Sequence, residues 1–278
     1  MYEHKPILAG TFYPADPQTL AASVDACFLH GKANAERTGL VREAARITML
    51  PHAGHVYCGN VIGDTLTVTT LPKTVVILCP SHTGQGAPLA VWPEGAWQTP
   101  LGSVPVDAAL AAALIDSDGG YAADVRAHAR EHSIEVLLPF LQRAIPDLTI
   151  VPVVVSVNPA QLQSAGECLA LAVQHYEQNG QNVAILVSSD MHHYDDETVT
   201  LQMDDVVIDL ILRRDPVDLF NTVVRRKISM CGIQPTTLAL FAASVFGLER
   251  TRLVAHTTSA EASGDTSRVV GYAGINIL

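Results

Sequence analysis

The sequence predicts an α/β fold, a single three-layer domain over residues 1–278 with a mixed or largely parallel sheet and helices on both faces. Three observations point there. Continuous apolar runs rich in β-branched residues recur at 74–80, 148–155 and 182–190, as in strands buried on both faces. Stretches with helical apolar spacing lie between them. No linker, repeat or low-complexity tract interrupts the alternation, so one domain is expected.

Each element has a local reason. Gly10 to Pro14 reads as a turn. Asp16 and Pro17 supply an N-cap and a first helical residue, and the helix is expected to reach about His30, with a polar loop from Gly31 to Glu43. Residues 46–50 read as a short strand leading into Pro51-His-Ala-Gly-His55, with a helix from Asn60 to Leu66. The strand at 74–80 runs into Ser81-His-Thr-Gly84. Shorter strands are expected at 89–93 and 97–106, and a helix at 107–115. Ile134, Leu137, Leu138 and Leu141 mark one face of a helix over 131–142, with Pro139 kinking it or marking its first turn. Asn158-Pro159 starts a helix running to about Gln178, and the strand at 182–190 ends in Met191-His-His-Tyr194. Helices follow at 199–213, 216–226 and 235–246, with Asp204, Asp205 and Asp209 read as a solvated face. Strands at 252–258 and 269–278 close the chain, separated by a turn at Ser263-Gly-Asp265.

Composition narrows the function. Apolar residues make up 48% of the chain, enough for a sizeable core and against disorder. A net charge of −11 argues against nucleic acid and anionic membrane surfaces as partners. The five Cys include no CxxC pair, which points away from zinc ribbons and disulfide frameworks. There is no charged and then apolar leader pattern, and no run approaches the ~20 apolar residues of a membrane helix. A reduced, soluble, cytoplasmic protein is therefore expected.

The candidate chemistry lies at strand ends. His52, His82 and the His192/His193 pair beside Asp190 each follow a buried strand, and a fourth loop offers Cys231 before Gly232. Parallel strands place their carboxyl ends on one sheet edge, so these residues are expected to converge there. Taken singly, each has an ordinary structural reading, such as a backbone-bonded His, a capping Asp or a packed Cys. Coincidence at three strand ends favours a site. His55 and Cys58 are read as shaping the first loop, and His4, His30, His128, His175 and His256 as structural.

The segments Ala9-Gly-Thr-Phe-Tyr-Pro14, Pro51-His-Ala-Gly54 with Tyr57-Cys-Gly59, Pro80-Ser-His82 and Thr99-Pro-Leu-Gly102 carry a family resemblance. So do Glu131-His-Ser-Ile-Glu135, Leu138-Pro139, Ser188-Ser-Asp190 with His193, Cys231-Gly232, and Ser263-Gly-Asp265 with Gly271-Tyr-Ala-Gly274. Together they span nearly the whole chain, which resembles the Memo family, also called AmmeMemoRadiSam system protein B. That family is similar in fold to class III extradiol dioxygenases, which hold non-haem Fe(II) with two His and a Glu. The resemblance implies His52 and His82 as metal ligands, with Cys231 where the carboxylate is expected. It implies His193 as acid/base, with Asp190 and His132 lining the same pocket. His192 departs from the pattern and competes for the metal or the proton-transfer role.

Such a site implies an oxidoreductase using Fe(II), with Cu or Zn also compatible with a two-His-one-Cys set. The alternatives are a non-catalytic metal-binding or adaptor protein, and a metal-free hydrolase with Cys231 as nucleophile. The family name implies radical-SAM and AMMECR-type partners. Apolar helix faces such as 238–246 leave room for a homodimer, and the small-molecule substrate is unspecified.

Overall fold

A computed structural model describes residues 2–278. Among these, nine strands form the main sheet: β1 (Ile47–Leu50), β2 (Thr74–Pro80), β3 (Leu89–Val91), β4 (Ala122–Ala123), β5 (Thr149–Val155), β6 (Val183–Ser188), β7 (His193–Asp195), β8 (Thr251–Thr258) and β9 (Val269–Ile277). The order across it is β7-β9-β1-β6-β2-β5-β3-β4, and β8 pairs with β9. The central neighbours β1, β6, β2 and β5 are parallel, while β9 runs antiparallel to β1 and β3 antiparallel to β5. Ser188 lies opposite Leu50, and Val155 opposite Pro80, so the carboxyl ends of these four strands share one edge.

Alternation along each strand feeds two cores. Val75, Ile77 and Cys79 pack with Leu20 and Val24 of α1 (Pro17–Thr38), Ile62 and Leu66 of α2 (His55–Thr67), and Phe140 of α4 (Leu138–Ala144). Val76 and Leu78 face the opposite layer. There they meet Leu110 of α3 (Ala108–Ile115), Leu169 and Val173 of α5 (Leu162–Glu177), Ile208 and Ile211 of α6 (Glu197–Arg213), Leu219 of α7 (Pro216–Arg226) and Leu238 of α8 (Ile233–Phe246). Each fully buried Leu, Ile or Val contributes about 1.5–3 kcal/mol relative to exposure. These two cores hold the sheet edge that carries the site. The predicted α/β class with helices on both faces is the observed one.

Several local expectations are corrected. Helix α1 does not stop at His30 but continues to Thr38, ending on Gly39 in the left-handed region at φ 70°. Its Gly31 sits against α2, where a Cβ would lie 2.6 Å from the Gly63 carbonyl oxygen. The glycine that reads as a breaker is the contact point of two helices. Residues 131–142 are not one helix: a 3-10 turn at Glu135–Leu137 leads into α4, with Pro139 in its first turn. The strand expected over 97–106 is a hairpin, Ala96–Thr99 and Gly102–Pro105, turning at Pro100-Leu101. Asp204 is not solvated. It is fully buried, accepting from the His192 backbone N–H at 2.9 Å and lying 3.0 Å from His256 Nε2.

Candidate functional site

The loops after β1, β2 and β6 and the loop before α8 converge on one cavity of about 620 Å³. Among its lining residues are His52, His82, His132, Asp190, His193 and Cys231, together with Phe12, Tyr57, Tyr194 and Val270. All six residues singled out from the sequence therefore come together. His192 does not line the cavity.

His52 follows Pro51 at the end of β1 and is 2% exposed. Its Nδ1 is 2.7 Å from Ser188 Oγ, and that hydroxyl donates onward to the Ser133 carbonyl at 2.6 Å. With its proton committed, Ser188 can only accept from His52, so Nδ1 carries the hydrogen and Nε2 keeps its lone pair. Burial first, then the neighbouring His132 and His82, push His52 well below the usual imidazole range. The ring is neutral, as a metal ligand requires.

His82 follows Pro80 and Ser81 at the end of β2. Its backbone N–H donates to Glu131 Oε2 at 2.7 Å, and its Nδ1 donates to Glu131 Oε1 at 2.9 Å. Burial lowers its proton affinity, but the bond to Glu131 and that group's charge outweigh it and raise the pKa. The same Glu131 carboxylate accepts from the backbone N–H groups of His132 and Ser133 and from Ser133 Oγ. Burial would raise its pKa; the bond from the His82 ring and that ring's charge, then the His82 backbone N–H and Ser133 Oγ, instead hold it at about 2. Glu131 therefore orients His82 as a carboxylate, leaving Nε2 free.

His52, His82 and His132 each offer a nitrogen, and the three lie within 4.8 Å of one another. Cys231 adjoins this group, with Sγ 3.4 Å from His52 Nε2 and accepting from the Asp190 backbone N–H at 3.2 Å. Gly232 makes this approach possible, because a Cβ there would strike the Ser189 side chain. Ligand bonds of about 2.1 Å to nitrogen and 2.3 Å to sulfur put two ligand atoms of one metal roughly 3.1–3.6 Å apart. The His52–Cys231 separation falls in that interval, so these two atoms are spaced as a pair of ligands to one metal would be, while the group of three whose ligand atoms all lie close together is His52, His82 and His132 rather than one that includes Cys231. Burial, then Asp190, pushes the free thiol far above its usual range, which works against a metal-free thiolate nucleophile.

Asp190 is 6% exposed and accepts from the His52 backbone N–H at 2.7 Å. Burial dominates there and raises its carboxyl to about 7 despite those bonds. His193 has its backbone N–H on Ser229 Oγ at 2.8 Å, and burial lowers its ring pKa, so it is neutral near pH 7. The neighbouring His192 is occupied elsewhere: Nδ1 accepts from the Ser229 backbone N–H at 3.1 Å, and Nε2 donates to Asp195 at 2.7 Å. It is a brace between β7 and the loop carrying Cys231.

Two supporting residues were missed as functional. Glu131 stands beside His132 in a segment read as helix, and Ser188 is the last residue of a buried strand. Neither carries a spacing that marks it as a histidine partner. Only the fold brings residues 49 and 136 positions away into contact with His82 and His52.

The family model described as Memo-like protein matches residues 4–276. A MEMO1 family protein of Thermotoga neapolitana is 38% identical over 275 residues, covering 96% of this chain and 97% of its own length. Another, from Methanopyrus kandleri, is 38% identical over 279 residues, covering 98% of each. Among solved structures, an uncharacterized protein from Escherichia coli K12 aligns with a TM-score of 0.56 at 14% identity, over 84% of this chain and 99% of its own. At that identity the likeness concerns the fold alone.

Proposed function

The chain belongs to the Memo-like protein family, and on that premise we propose that it is a metal-dependent oxidoreductase with a dioxygenase-like site. In this reading His52, His82 and Cys231 hold one iron or copper ion, with zinc the competing occupant, and His193 is the acid/base. The observation that carries it is the pair of histidines whose Nδ1 atoms are both committed to fixed partners, leaving two Nε2 lone pairs for one cavity.

A redox-active metal bound there supplies open coordination positions and electron transfer. The protein supplies the rest. Glu131 and Ser188 keep the histidines oriented, so little reorganisation accompanies binding. His193, neutral and lining the same cavity, takes a proton from a substrate hydroxyl. Phe12, whose ring lies edge-on to His132 with centroids 5.4 Å apart, and Val270 add apolar surface to the cavity lining.

Metal content after anaerobic purification, measured for wild type and for His52→Ala, His82→Ala and Cys231→Ser, tests the reading. Stoichiometric metal in wild type and its loss in the His variants are expected. Equal metal in all four, or none in wild type after anaerobic loading, would reject it.

A further inference from the structure

The segment that delivers His193 contains an irregularity the metal site does not use. His193 pairs with Val270 and Asp195 with Val269, so β7 advances two residues while β9 advances one. Tyr194 is the extra residue, a β-bulge, and its backbone lies in the left-handed region at φ 70°. Bulges of this kind ordinarily place glycine there, because a Cβ is strained. The other non-glycine residues with positive φ have simple reasons: Arg214 and Lys227 terminate helices, and Asp147 sits in the turn before β5. Tyr194 alone among them lies within a strand.

The strain has a side-chain consequence. The ring of Tyr194, 62% exposed, lines the mouth of the cavity. The Arg268 guanidinium lies over that ring, 4.8 Å from its centroid. Stacking occupies the face of a guanidinium and leaves its N–H edge free to meet a planar anion. No carboxylate among the described residues pairs with Arg268. Asp195 is engaged with His192, and Asp265 with Ser267. None of the cavity's lining residues is a Lys or Arg, and the chain as a whole carries −11. Arg268, exposed and outside the cavity's own lining, is a free cation held on the ring of a residue that does line it, against that background.

We propose that Tyr194 and Arg268 form a recognition rim for a carboxylate, so that the cavity takes a small molecule with a metal-binding head and an anionic tail. The head rests on the metal-site reading above; the tail does not. The strained bulge then has a purpose: it points His193 into the cavity while raising the aromatic platform that holds Arg268 at the mouth.

Two titrations separate the readings. Metal-loaded protein is titrated with benzohydroxamate and its 3- and 4-carboxy derivatives, chelators that differ only in the tail. Metal-free protein is titrated with benzoate and benzamide. At least one carboxy derivative binds about five- to tenfold tighter than benzohydroxamate, and benzoate binds in preference to benzamide. Arg268→Gln abolishes both preferences, and Tyr194→Phe keeps them. Tyr194→Gly loses them while melting no lower than wild type, since glycine relieves the backbone. Hydroxamates that bind without any carboxylate preference overturn the rim and leave the metal reading intact. A benzoate preference without metal binding overturns the metal reading alone. A preference that survives Arg268→Gln assigns the anion elsewhere and overturns the proposal.

Discussion

Replacing Glu131 by Gln keeps the shape of the side chain and removes its charge and one of its two acceptor oxygens. Five hydrogen bonds converge on this carboxylate, from the backbone N–H groups of His82, His132 and Ser133, from His82 Nδ1 and from Ser133 Oγ. An amide NH₂ in one of the two positions faces donors and repels them. The folded carboxyl lies at about 2 against an ordinary 4.5. At 1.36 kcal/mol per pH unit, that gap corresponds to about 3 kcal/mol, discounted to about 2–3 because part of the depression comes from the charge of His82, which is present only while that ring is protonated. The sign follows from the depressed pKa. This stability is present above pH 4.5 and is lost as the pH falls through about 2. For a chain of this size Glu131→Gln lowers Tm by about 5–10 °C. It also weakens metal binding by about 10- to 100-fold, through the loosened His82 ring. Calorimetry on the metal-free protein and a competitive metal titration read the two effects separately. A change of under about 1 °C together with unchanged metal affinity would show that Glu131 neither stabilises nor orients.

Other outcomes follow from the same geometry. Burial holds His128 at about 4 with its Nε2 on the Ala90 carbonyl, so unfolding takes up a proton between pH 6.5 and 4 and stability falls as the pH drops through that window. His128→Gln keeps a donor and removes the titration; denaturant melts at pH 7.5 and 4.5 show wild type losing about 2–3 kcal/mol more than the variant, and parallel losses would contradict the assignment. His193→Ala lowers turnover by about 10²–10⁴-fold on an active substrate without releasing metal, whereas equal rates would remove its proton-transfer role. Gly31→Ala pushes α1 off α2 and costs about 1–3 kcal/mol, read as a lowered Tm; an unchanged Tm would mean the two helices are not in the close contact described.

The sheet was legible because its parallel strands are buried on both faces and therefore spell continuous apolar runs, as at Thr74–Pro80. The site was legible for a related reason: each of those strands delivers its next polar residues to one edge. The supporting residues were not. Glu131 becomes a histidine partner only through a fold that carries it to the end of β2, and nothing in its local spacing says so. Asp204 sits among acidic neighbours at helical spacing, which reads as a solvated face, yet β8 and β9 cover it and supply His256 and the closely approaching Gly271. Gly31 misled for the opposite reason, since a residue of low helix propensity was kept for contact across helices. The bulge at Tyr194 had no signal either, because its sequence holds a tyrosine where glycine would have announced the turn.

X-ray absorption at the metal edge of stoichiometrically loaded protein addresses the central claim most directly. Two imidazole nitrogens at about 2.0–2.1 Å and one sulfur at about 2.3 Å are expected, with the sulfur lost in Cys231→Ser and the imidazole signal lost in a His52→Ala/His82→Ala double variant. A nitrogen-only shell in wild type would give the third position to His132 instead of Cys231. An unaltered spectrum in the double variant would contradict the site itself.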